Sequence, residues 1–206
     1  MAGRPVASAR AAALALVLLA YGAGVGAQPF VRDDIITDPV PSRFSVCHGN
    51  GCVNLDFLSL DGAQWNSIRD LFDPPPESAQ DERERLRNYL ARMETIVGAR
   101  TGTQTDLGGT FPGLGKSGQM DCIDESINTT LYLRMLAGEG LLNHHTVGKP
   151  ATRGYFLFGW PHTTAVIAER DGGEAYAVDS WFEDNGRAPH IVLLREWRRG
   201  WEPRQE

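Results

Sequence analysis

Gly118-Gln119-Met120-Asp121-Cys122-Ile123-Asp124-Glu125-Ser126 places a cysteine at the mouth of a helix. Ile123, Ile127, Leu131 and Met135 recur every four residues behind it, and Gly138 is placed to stop the run, so the spacing predicts a helix over 121–136. The thiolate is the reactive form of cysteine, and the free backbone N–H groups of a helix N-terminus favour negative charge. Cys122 is therefore a candidate nucleophile whose position is expected to lower its pKa.

Beyond Leu141-Leu142 the period changes. Segments at 145–147, 154–158, 162–169 and 175–181 are short, β-branched or aromatic, and bounded by Gly, Pro or Asp, which predicts antiparallel strands. Upstream, Trp65, Ile68, Leu71 and Phe72 predict a short helix after Asp61 that Pro74-Pro75-Pro76 ends. Ser78 is placed to cap a long helix striped by Leu86, Tyr89, Leu90, Met93, Ile96 and Val97, with Gly98 at its end. Helices followed by strands make an α+β domain. Residues 28–43 read as an extended surface arm, and glycine-rich 100–118 as a loop near the nucleophile.

Residues 1–27 carry Arg4 and Arg10, an apolar core AAALALVLLAY and a small-residue Val25-Gly26-Ala27 site, the pattern of a cleaved secretory signal. The apolar run is too short to span a bilayer, so no stable membrane anchor is expected after cleavage, and a secreted or periplasmic location follows. Removing 27 of 206 residues leaves 179, a length suited to one domain over 28–206. Two arginines leave with the signal and no acid does, so the formal charge of −6 becomes −8. That balance argues against nucleic acid as a partner, because its binding depends on clustered Lys and Arg.

Three cysteines face an oxidising compartment. Cys47 and Cys52 bracket the turn-rich His48-Gly49-Asn50-Gly51 and are expected to pair as a disulfide, with reduced thiols the alternative. Their spacing does not fit redox or haem motifs, which use two intervening residues. Cys122 is left over as a reactive thiol.

A cysteine nucleophile needs an imidazole to take its proton and a carboxylate to orient that imidazole. His162 and Asp179, on neighbouring strands around Asp171-Gly172-Gly173, are the candidates. A two-residue turn at Gly172-Gly173 would set His162 opposite Glu183 and leave Asp179 roughly 13 Å away along the strand. A wider loop is required for the two to meet, and a three-residue turn would point Asp179 to the other face. The Cys122 N–H is one donor available to an oxyanion, and Gln119 is a candidate second. Asp121, Asp124 and Glu125 read as complements to the helix dipole rather than calcium ligands, and His144-His145 as a strand entry, so no metal site is expected. Asn128-Thr129-Thr130 matches a glycosylation acceptor but falls inside a helix. Trp160, Trp181, Trp197 and Trp201 gather late in the chain, mostly as core, with Trp160 and Trp181 candidates to line a cleft.

GQMDCIDESINTTLYLRMLAGEGLL, WPHTTAVIAE and YAVDSWF, together spanning about a third of the chain, resemble the three motifs of the transglutaminase-like superfamily. The nearest branch is the bacterial transglutaminase-like cysteine peptidases. The resemblance implies a papain-like α+β core with the nucleophile helix packed on an antiparallel sheet, with Cys122 as nucleophile, His162 as base and Asp179 as orienter. It further implies acyl transfer through a thioester to water, by a peptidase or amidase acting on protein or peptide and needing no cofactor. Transfer to an amine, as in a transglutaminase, and a non-catalytic binding module on the same fold are the alternatives.

Overall fold

A computed structural model describes residues 32–109, 116–154 and 161–204. The signal segment, most of the strand expected at 154–158, and Trp160 lie outside the described residues. Within them the chain is α+β, with four helices and two antiparallel sheets.

The first sheet is a hairpin of β1 (Phe44–His48) and β2 (Asn54–Leu58), paired from Phe44↔Leu58 to His48↔Asn54. Cys47 and Cys52 form a disulfide across its turn, with Cα atoms 4.6 Å apart. Helix α1 (Gly62–Arg69) is opened by Asp61, whose carboxylate accepts from the Gln64 N–H while Gln64 Oε1 accepts from the Asp61 N–H. Helix α2 (Ala79–Thr101) is capped by Ser78 and buries Leu86, Tyr89, Leu90, Met93 and Val97.

Gly98 does not end α2. The helix runs to Thr101, and Gly102, at φ 80°, takes the left-handed cap that favours glycine. Gly98 has a different reason to be glycine: a Cβ there would lie 2.6 Å from Asn185 Oδ1. Helix α3 (Cys122–Gly138), by contrast, ends at the expected Gly138, with Gly140 left-handed beyond it.

Helix α3 is also not the one-sided amphipathic helix its fourfold spacing predicts. Residues from Asp124 to Leu133 are all buried. Ile127 and Leu131 pack on Cys47, Cys52 and Ile35, whereas Tyr132, Leu133, Met135 and Leu136 join Leu86, Leu90, Met93, Ala165 and Ile167. The helix is thus the interior layer between the hairpin on one side and α2 with the second sheet on the other. Fully burying such side chains contributes roughly 1.5–3 kcal/mol each.

The second sheet comprises β3 (His145–Val147), β4 (Ala151–Arg153), β5 (His162–Glu169), β6 (Ala175–Asp179) and β7 (His190–Leu193), with β3 and β4 sharing one edge of β5, β6 on the other, and β7 beyond. Between β3 and β4 the register slips by one residue: the Gly148 N–H donates to Val166 O, yet Ala151 already faces Thr164. This bulge holds Pro150, which has no N–H to give a ladder. A one-turn helix, α4 (Leu194–Trp197), follows β7 and buries Trp197 completely. β4, β7 and α4 were not predicted by periodicity.

Candidate active site

Asp121 is the N-cap of α3. Its Oδ1 accepts from the N–H groups of Ile123 and Asp124, both at 3.0 Å, while Asp124 Oδ2 accepts from the Asp121 N–H at 3.2 Å. Cys122 is therefore the first helical residue, and its side chain is partly exposed. The other Asp124 contacts run to the disulfide turn: Cys52 N–H at 2.6 Å and Asn50 N–H at 2.7 Å. One turn along, the Asn128 carboxamide clasps both the N–H and the carbonyl of Cys47. The hairpin is bolted to the helix that carries the cysteine, and Asn128, buried in that clasp, is closed to glycosylation.

The β5–β6 register brings His162 to Asp179. Ala165 pairs with Val178 and Ala168 with Ala175, and the Glu169 N–H donates to Glu174 O, so the loop beyond that last bonded pair holds four residues, Arg170 to Gly173. His162 then falls opposite position 181 rather than 183, and Asp179 comes two residues nearer than a two-residue turn allows. One pleat of about 6.6 Å separates meeting from missing. His162 Nε2 lies 2.7 Å from Asp179 Oδ2, and both side chains are buried. The ring is walled by Trp181 at 4.8 Å, Phe182 at 5.4 Å and Trp197 at 5.5 Å between centroids.

The sulfur of Cys122 lies toward the start of β5. The backbone N–H of Thr163, next to His162, is near enough to favour its thiolate, and Asp179 is near enough to oppose it. The net effect runs against the sequence expectation. Burial first, then the Asp121 and Asp179 carboxylates, push the thiol up to about 11 despite its place at the helix start. The cap that shapes the helix opening also sets a negative charge beside the sulfur.

Gln119 is buried and holds the preceding loop: Nε2 donates to Thr105 O at 2.8 Å and Oε1 accepts from the Leu107 N–H at 3.4 Å. One Nε2 hydrogen remains beyond the Thr105 bond. The loop is gripped from the far side as well, by Gly109 N–H on Trp181 O and Gly108 N–H on Asp184 Oδ1.

The chain matches no family model, and no curated protein or solved structure was found similar to it.

Two features of the site lay outside the sequence reading. Trp197 Nε1 donates to Asp179 Oδ2 at 2.6 Å, on the same oxygen that faces His162. Its terminal LREWRRGW segment reads as aromatic core, and only the rule that a buried indole N–H seeks an acceptor pointed further. The second is a group of buried acids, in which Glu94 and Asp106 lie behind the first turn of α3 and join Glu125 within it. Glu94 is raised to about 8 and Asp106 to about 6, both chiefly by burial, and Glu125 is raised well above its usual range by burial and by Glu94.

The remaining histidines have other polar partners, although His190 faces Asp179 across the β6–β7 register and its ring lies 6.4 Å from that of Phe182. His144 Nε2 lies 3.0 Å from Pro76 O, His145 is buried beside Glu82 and Arg83 at the strand entry, His48 pairs with Asp56 and His190 with Glu183. Among the described residues no group of three or more His, Cys, Asp or Glu is placed to hold a metal ion, and no helix is long and apolar enough to cross a membrane.

Proposed function

We propose that this chain is an exported, cysteine-dependent acyl-transfer enzyme of transglutaminase-like type with a papain-like core, acting as a peptidase or amidase on protein or peptide. The observation that carries this reading is the His162–Asp179 pair at 2.7 Å, buried beside the N–H of Thr163 that faces the Cys122 sulfur. The disulfide Cys47–Cys52 supports an oxidising compartment.

With Nε2 directed to Asp179, the other ring nitrogen of His162 is the base for the thiol. A thiol held near 11 does not ionise alone at neutral pH, so its proton passes to the imidazole as sulfur attacks the carbonyl. The tetrahedral oxyanion draws on the Cys122 N–H and on the spare Nε2 hydrogen of Gln119. Collapse expels the amine, which takes the proton from the imidazolium, and leaves a thioester. Water then releases the acid; an amine in its place would give transamidation by the same steps.

Iodoacetamide measures the pairing directly. Parent protein is expected to alkylate at Cys122 near pH 7 faster than free cysteine. Without the imidazole nothing takes the proton of a thiol that burial raises from 9.0 to about 11, so His162→Ala is expected to slow alkylation by roughly 100-fold. A companion experiment incubates parent and Cys122→Ala proteins with a periplasmic extract and compares fragments by mass spectrometry. Identical fragments from both, or alkylation indifferent to His162, overturn the reading.

A further inference from the structure

We propose that Trp197 is a positioning residue for the His162–Asp179 pair, acting through its indole N–H; this rests on the acyl-transfer reading above. Asp179 Oδ2 receives two partners at once, Trp197 Nε1 at 2.6 Å and His162 Nε2 at 2.7 Å. An indole N–H can only donate. Its contact therefore keeps Oδ2 an acceptor, which makes Nε2 the protonated nitrogen of the neutral imidazole. The opposite nitrogen is left as the base for the thiol. The two donors also occupy Oδ2 from two directions and fix the carboxylate's rotation about its own bond.

Trp197 is itself held in place. It is fully buried in the single turn of α4, and its backbone carbonyl accepts from Arg153 Nη1 at 2.5 Å, as does that of Trp201 at 2.7 Å. The Arg153 guanidinium lies over the Trp197 ring, 4.6 Å from its centroid. Arg153 sits in β4 directly across from His162. A closed circuit results, from β4 through α4 to β6 and back to β5, in which each member locates the next. Apolar packing alone would place the ring without requiring its nitrogen to face Asp179.

The test compares parent, Trp197→Phe and a variant carrying 3-benzothienylalanine at 197, which keeps the indole shape and replaces N–H by sulfur. The readout is the rate of Cys122 alkylation by iodoacetamide from pH 5 to 10, with urea unfolding measured beside it. Loss of a hydrogen bond to a charged group is expected to slow alkylation at pH 7 roughly 10- to 100-fold and to displace the rising limb of the profile toward higher pH. Both variants are expected to show this. A parent-like profile in the benzothienyl variant overturns the proposal, whatever Trp197→Phe does, because shape alone then suffices. A lowered urea midpoint with an undisplaced profile assigns Trp197 to packing only and overturns it equally. His162→Ala separates the two levels: if it leaves alkylation unchanged, the acyl-transfer reading fails; if it slows alkylation and the Trp197 variants do not, the positioning claim alone fails.

Discussion

Replacing Glu94 by Gln is expected to lessen the fall of this protein's stability between about pH 5 and 8. Glu94 sits in the middle of α2, 7% exposed, and its carboxylate accepts from the Gly186 N–H at 2.9 Å. Burial opposes its charge, and Asp106 adds repulsion, so its folded pKa rises to about 8 from an ordinary 4.5. An acid raised on folding binds its proton more tightly in the native state. Between roughly pH 4.5 and 8 the folded chain then carries more protons than the unfolded one, and stability falls as pH rises through that window. A rise from 4.5 to about 8 makes the charged carboxylate cost several kcal/mol in the fold. Glutamine keeps an oxygen for Gly186 and carries no charge. Near pH 5 the variant is expected to match the parent, and at pH 8.5 to exceed it by several kcal/mol. Glu125, raised well above its usual range, and Asp106 and Asp124, each raised to about 6, keep a slope of the same sign in the variant. Urea unfolding in half-unit steps from pH 4.5 to 9 reads both curves. The exposed acids paired with arginine, Asp34 with Arg32 and Asp81 with Arg85, have lowered pKa values, so what they contribute is lost only as pH falls below the usual carboxylate range, outside this window. A parent whose stability is flat or rising from pH 6 to 8, or a variant that shares the parent's slope, refutes the reasoning.

Reducing the Cys47–Cys52 bridge reopens a short loop, with a sequence separation of 5, and is expected to cost about 2 kcal/mol; urea midpoints with and without dithiothreitol check this, and a double Cys47→Ser, Cys52→Ser variant is expected to match the reduced protein. Gly108→Ala sets a Cβ 2.5 Å from Phe182 O and the Glu183 carbonyl carbon, so the loop beside Gln119 must back away; a loss of about 1–3 kcal/mol is expected. Gly62→Ala, which meets nothing within 4 Å, is the control, and equal melting temperatures for the two would show that the close approach is absent.

Where a signal was local, the residues announced the structure. Ser78 and the Leu86-to-Val97 stripe marked α2, Asp61 and the proline run bounded α1 and its following turn, and Cys47 and Cys52 flanked the turn they now close. Glycines were legible only as punctuation: nothing near Gly98 in sequence reveals that Asn185, far along the chain, fills the space over it. Register was the harder matter. Asp171-Gly172-Gly173 marks a turn without giving its length, and only the meeting of His162 with Asp179 selects the four-residue loop. The direction of the Cys122 shift was missed for a related reason, since a helix terminus is a local feature whereas burial and the Asp179 charge come from elsewhere in the fold. β7 and α4 are too short for periodicity to detect, and Trp197 went with them.

Helix α3 has no weathered side. Most helices keep a strip facing water that can drift in sequence or bend with the solvent, and this one is enclosed from Asp124 to Leu133. The sulfur at its head is carried by the keel of the molecule rather than by a movable arm. Whatever slackens the interior also unseats that atom, so aim and endurance are a single property here.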